Sequence, residues 1–112
     1  MDGYYQGIQR MDEKKARNIV KKYINFLRKN KLNIEKAYIF GSYAKGSFNE
    51  DSDIDLAVVF KEFPDSFDMQ VELLKLRRKF DTRIEPHPFR ASDFSSANPL
   101  ASEVLSTGVQ IA

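Results

Sequence analysis

The chain contains no cysteine, which excludes a disulfide framework, a thiolate metal site and a thiol nucleophile, and says little about compartment. It also lacks any apolar run long enough to span a bilayer. The opening residues, MDGYYQGIQRMDEKK, have neither the basic start nor the apolar centre of a signal peptide. A cytoplasmic protein with no membrane association is the expectation. A strong charge of one sign is missing as well: the formal net charge is +2, too small to argue for nucleic-acid binding. The halves differ, with 11 Lys/Arg against 5 Asp/Glu in residues 1–50 and 7 against 11 in residues 51–112, hence +6 against −4. Most of the excess lies in RMDEKKARNIVKKYINFLRKNK, where the solvated face of a helix accounts for it. Nucleic acid is therefore not expected as a partner.

What is present suits one folded domain over residues 1–112, with 42% hydrophobic and 30% charged residues and enough chain for a modest single core. Between Met11 and Lys29, Ala16, Ile19, Val20, Tyr23, Ile24 and Leu27 recur at helical spacing, with lysines opposite, acidic Asp12 and Glu13 at the start and Asn30 as a stop. KAYIFGS reads as a strand running into a tight turn, and YAKGSFNEDS as loop or a single helical turn. In SDIDLAVVF, alternation sets Ile54, Leu56 and Val58 on one face and Asp53, Asp55, Ala57 and Val59 on the other. After Pro64 and Asp65 a second helix is marked by Met69, Leu73, Leu76 and Phe80, broadened by Phe67, Val71 and Leu74.

FDTRIEPHPF alternates again, Phe80, Thr82 and Ile84 against Asp81, Arg83 and Glu85, and predicts a third strand stopped by Pro86 and Pro88. The remainder predicts a short helix with Pro99 near its first turn, Gly108 beyond its end and a brief extended piece. Helix, strand, strand, helix, strand, helix implies an α/β (α+β) fold: a mixed sheet with helices packed mainly on one face. The other face is free to hold a site.

Asp53 and Asp55 ask for a reason. Residues i and i+2 of a strand project from one face about 6.6 to 6.8 Å apart. Two carboxylates closing on one point repel and raise each other's pKa unless a cation lies between them. Magnesium, which takes oxygen ligands and fills its shell with water and phosphate, meets that need. The alternative is that both face water on an exposed strand, where Arg83 is a candidate ion-pair partner. Gly41-Ser42 weighs for the first reading: a strand ending there presents backbone N–H groups and a hydroxyl, without a Cβ in the way, to phosphate oxygens. Lys45, beside Gly46, either adds charge to the same phosphates or is an ordinary surface lysine.

GSYAKGSFNEDSDIDLAV resembles the signature of the DNA polymerase beta-type nucleotidyltransferase superfamily: Gly-Ser, a short variable stretch, then Asp-x-Asp on a strand. The gap is similar to that of the minimal nucleotidyltransferases, small bacterial and archaeal proteins consisting of little more than the catalytic core. The resemblance runs from about Phe40 to Pro86 and implies a nucleotidyltransferase-like sheet, two Mg2+ ions held by three carboxylates, and ATP or another nucleoside triphosphate as substrate. The third carboxylate is expected from the strand after the second helix. DNA polymerase beta has a segment similar to FDTRIEP, with its third aspartate at the place of Asp81 and an arginine at that of Arg83. Asp81 is accordingly the first choice, and Glu85, on the same predicted face, the other.

The resemblance implies attack of an acceptor hydroxyl on the α-phosphorus, with Asp53, Asp55 and Asp81 as the catalytic, metal-binding set. Gly41, Ser42 and Lys45 would hold the nucleotide. Larger relatives carry a further domain for the acceptor, and only about 26 residues follow Pro86, so the acceptor is expected from outside. Minimal nucleotidyltransferases of this kind are often paired, as antitoxin to toxin, with a helical HEPN-type protein, and some add AMP to a tyrosine of it. A competing expectation is a binding module that neutralises its partner by covering it. A third, transfer to a small molecule or RNA end, would need an acceptor pocket at a homo-oligomer interface. His87, the one histidine, sits between prolines as either a nucleotide or acceptor contact or part of a rigid surface loop; Arg90 has no assigned role.

Overall fold

The computed structural model describes residues 12–48 and 52–112. Helix α1 (Glu13–Lys29) is capped by the Asp12 carboxylate, which accepts from the Lys15 N–H, and ends at Asn30. The expected start at Met11 lies outside the described residues. Strand β1 (Ile34–Phe40) leads through Gly41 into a single helical turn, α2 (Ser42–Lys45), and β2 (Ile54–Phe60) follows. Then come α3 (Ser66–Leu76), β3 (Ile84–Arg90), α4 (Pro99–Thr107) and the two-residue β4 (Val109–Gln110). Asn98 caps α4 by accepting from the N–H groups of Leu100 and Ala101, with Pro99 at the first helical position.

The sheet is mixed, in the order β3-β2-β1-β4. β1 is antiparallel to β2 and β4; β3 is parallel to β2, a pairing that α3 makes possible by carrying the chain across. One face carries Ile39, Ile54, Leu56, Val58 and Ile84 against Ala16, Val20, Tyr23, Ile24 and Leu27 of α1 and Leu73 of α3. The buried Tyr23 hydroxyl donates to the Leu73 carbonyl at 2.6 Å, tying the two helices together. The opposite face carries Phe40, Ala57, Val59 and Phe89, covered by Ala101 and Val104 of α4. The predicted alternation of β2 is therefore present, with its Asp-bearing face partly roofed by α4.

Two expectations are corrected. Phe67 does not widen the apolar stripe of α3; it is 74% exposed, because the helix turns it away from the sheet. The third strand begins at Ile84, four residues later than expected, and runs through Pro86 and Pro88 to Arg90 instead of stopping at them. The prolines fit because β3 is an edge strand and they fall at alternate positions, where no sheet partner needs their missing N–H. Carbonyls on that free edge find side chains from beyond the sheet: Ile84 accepts from the Arg77 guanidinium at 2.7 Å and Pro86 from the Gln70 amide. An edge so covered resists pairing with another chain. Arg90, which had no assigned role, lies over the Phe63 ring at 4.4 Å and donates to the Phe63 and Pro64 carbonyls, holding the β2–α3 connection.

Candidate active site

Three strand positions meet at one end of the sheet. Asp55, second residue of β2, is in register with Phe40 of β1 on one side and Glu85 of β3 on the other. Residues in register share a face, so Glu85 stands beside Asp55, and His87, opposite Ala57, lies one step further along the same face. Asp53 precedes β2 and is exposed. This cluster stands where the roof of α4 ends.

Gly41 closes the side nearest β1. Its φ of 72° and ψ of −145° belong to a region that side chains avoid, and a Cβ built there would collide with the Asp55 carboxylate. The missing side chain thus leaves the turn backbone packed directly on Asp55. The turn is held from beneath: the buried Tyr43 ring stacks on Phe48 at 4.4 Å, bracketing Lys45 and the left-handed Gly46. Burial raises the Tyr43 pKa, and its hydroxyl has no hydrogen-bond partner among the described residues. Lys45 is exposed, with its ammonium 3.6 Å from Glu103 of α4. The end of the connection, residues 49–51, lies outside the described residues.

Asp81 is placed differently from Asp53 and Asp55. It lies in the turn before β3, where its carboxylate accepts from the Arg83 backbone N–H at 2.9 Å and from the guanidinium at 3.0 and 2.8 Å. These hydrogen bonds hold its pKa below the usual carboxylate value. Its lone pairs are committed to Arg83. Glu85 is freer: the nearest cation, Arg77, is 3.9 Å away. Strict alternation over FDTRIEP put both acids on one face. It fails because residues 81–83 form a turn, and a period of two has no meaning before Ile84.

His87 approaches Asp55, Nε2 to Oδ1 at 3.4 Å, with its ring edge against Phe40. The contact was not foreseen from the sequence, although EPHPF held the signal: with prolines on either side, the histidine must follow the strand. Asp53, Asp55 and Glu85 offer the hard oxygen donors that magnesium takes. Among the described residues no three acidic or histidine side chains already close on a single point. The donor chemistry and the open, glycine-floored end of the sheet nevertheless fit a cation bound together with phosphate oxygens.

Comparison with known proteins agrees with this architecture. The family described as Polymerase beta, Nucleotidyltransferase matches residues 21–112. The Methanocaldococcus jannaschii protein MJ0141, a candidate protein adenylyltransferase, is 32% identical over 95 residues, 81% of this chain and 90% of that one. A chain from the crystal structure of a toxin–antitoxin pair with AMP-PNP superposes with a TM-score of 0.61 at 28% identity, over 86% of this chain and 72% of that one. A chain from a complex of the tri-AMPylated Shewanella oneidensis HEPN toxin with its MNT antitoxin gives a TM-score of 0.56 at 25% identity, over 89% and 71%. With most of its length covered by the family and the paired aspartates, glycine turn and mixed sheet in place, the chain belongs to the polymerase beta-type nucleotidyltransferases.

Proposed function

We propose that the chain, as a single minimal nucleotidyltransferase domain, transfers AMP from ATP to a hydroxyl of a partner protein, the hydroxyl oxygen replacing pyrophosphate on the α-phosphorus and its proton going to solvent. The acceptor under this reading is a tyrosine of a HEPN-type toxin, which the transfer silences. The observation that carries the reading is the in-register meeting of Asp55, Glu85 and the Gly41 turn at one end of the sheet. The relatives' own partners and products support the choice of acceptor.

Asp53 and Asp55 hold magnesium in this reading, and we assign the third carboxylate to Glu85 in place of Asp81. Glu85 shares the face of Asp55, whereas Asp81 is bound to Arg83. Magnesium, when bound, offsets the charge of the triphosphate and lowers the pKa of the acceptor hydroxyl. The chain's own groups do the positioning. Gly41 admits the phosphates close to the backbone, Ser42 donates to them, and Lys45 exchanges Glu103 for the β and γ phosphates, a small loss because exposed ion pairs contribute little. Glu85 loses only a loose contact with Arg77 on turning to a cation.

The test is label transfer from α-labelled ATP with magnesium to a candidate HEPN-type partner protein or to cell extract. Wild type is compared with Asp53→Ala/Asp55→Ala, Glu85→Gln and Asp81→Asn. Transfer by wild type and Asp81→Asn, with loss in the other two, is the expected result. A stable neutralising complex that forms without transfer and survives the double substitution would leave a binding module in place of an enzyme.

A further inference from the structure

The donors on the site's strand face include a nitrogen. His87 is half-buried on the same strand face as Asp55 and Glu85, and its Nε2 lies 3.4 Å from Asp55 Oδ1. That separation is long for a histidine–carboxylate hydrogen bond, which closes to about 2.7 to 2.9 Å when the imidazole is charged. It is close to the spacing of two ligands on one cation. With metal–ligand bonds of about 2.1 Å, neighbouring donors stand roughly 3.0 Å apart in an octahedron and 3.4 Å in a tetrahedron. The imidazole is not free to swing away. Its ring edge packs on Phe40 at 5.2 Å between centroids, and its backbone runs between two prolines in a paired strand.

We propose that His87 Nε2 is a metal ligand, giving this site a mixed oxygen and nitrogen donor set that favours a transition cation such as Mn2+ over Mg2+. The inference rests on the metal-dependent reading of the site given above and goes beyond it in naming the ligand and the class of cation. An all-carboxylate site suits magnesium, which seldom accepts nitrogen; imidazole shifts preference toward first-row transition metals. Asp55 and His87 already stand at ligand spacing, so their approach to a common ion needs little movement. Glu85 reaches the same ion by leaving Arg77.

His87 is the one histidine in the chain, which allows a direct test. Untagged protein labelled with 15N at histidine, and unlabelled protein, are loaded with Mn2+ and examined by electron spin-echo envelope modulation. Nitrogen couplings that change with the isotope are expected in wild type and absent from His87→Gln. The affinity for Mn2+ relative to that for Mg2+, measured by competition, should fall about tenfold or more in His87→Gln. A merely structural role for His87 would weaken both ions equally and leave the ratio unchanged. Bound Mn2+ without histidine coupling overturns the proposal and leaves the transferase reading intact. No difference in Mn2+ binding between wild type and Asp53→Ala/Asp55→Ala would overturn both.

Discussion

Replacing Gly41 by alanine adds one methyl group where the structure has no room for it. Two separable costs follow. The backbone conformation, φ 72° and ψ −145°, is nearly confined to glycine, and forcing alanine into it costs about 1 to 3 kcal/mol. For a chain of this size that is a fall in Tm of roughly 5 to 20 °C. The new Cβ would also overlap the Asp55 carboxylate, which must retreat by about an ångström to restore contact distance. Displacement on that scale in a positioned reacting group costs about a hundredfold in rate. The assay pairs thermal unfolding with label transfer from α-labelled ATP, measured well below the variant's Tm so that the folded fraction stays near one. The expected outcome is a modest loss of stability and a loss of transfer on the order of a hundredfold, with nucleotide binding affected less. Wild-type transfer from folded Gly41→Ala would refute the reasoning, because the position of Asp55 would then not matter to the chemistry.

Other expectations follow from single contacts. Asp81→Asn should lower stability at pH 7 by about 1 kcal/mol, since it removes charge-assisted hydrogen bonds to a partly exposed arginine. The folded-state pKa of Asp81 is depressed by Arg83. Its contribution is therefore present above the ordinary aspartate pKa of 3.8 and fades as pH falls through the lower folded value; unfolding of wild type and variant should converge in that acid range. Tyr23→Phe removes the hydroxyl that joins α1 to Leu73 and should cost about 1 kcal/mol by denaturant titration. Leu73→Ala should cost about 3 kcal/mol and loosen α3 in hydrogen exchange, because Leu73 is its fully buried residue. Glu85→Gln should abolish transfer while Asp81→Asn spares it; the reverse pattern would return the third carboxylate to Asp81.

The parts of the fold that could be read in advance are those in which a short window carries its own period. The helix ending at Asn30, the alternation of SDIDLAVVF and the Pro99 helix are all local patterns, and each has its expected counterpart. The third strand departs from its sequence pattern because a proline in the sequence reads as a stop. Whether proline is tolerated depends on which neighbour the missing N–H would have faced, and β3 turns out to be an edge. Arg77, Gln70 and Arg90 were invisible for a related reason: their targets are main-chain carbonyls 7, 16 and 27 residues away, and no side-chain pattern marks such an acceptor.

The same division runs through the candidate site. Sequence alone determined that two aspartates two residues apart stand at the entry to a strand, and that a Gly-Ser turn precedes them, because both facts belong to a few consecutive residues. Which acid stands beside Asp55 was decided by tertiary structure. Parallel pairing sets Glu85 in register with it and leaves Asp81 in the preceding turn with Arg83. The approach of His87 to Asp55, 32 residues apart, is likewise a product of register. A strand's period says which side chains share its own face; only pairing with a neighbour says what stands next to them.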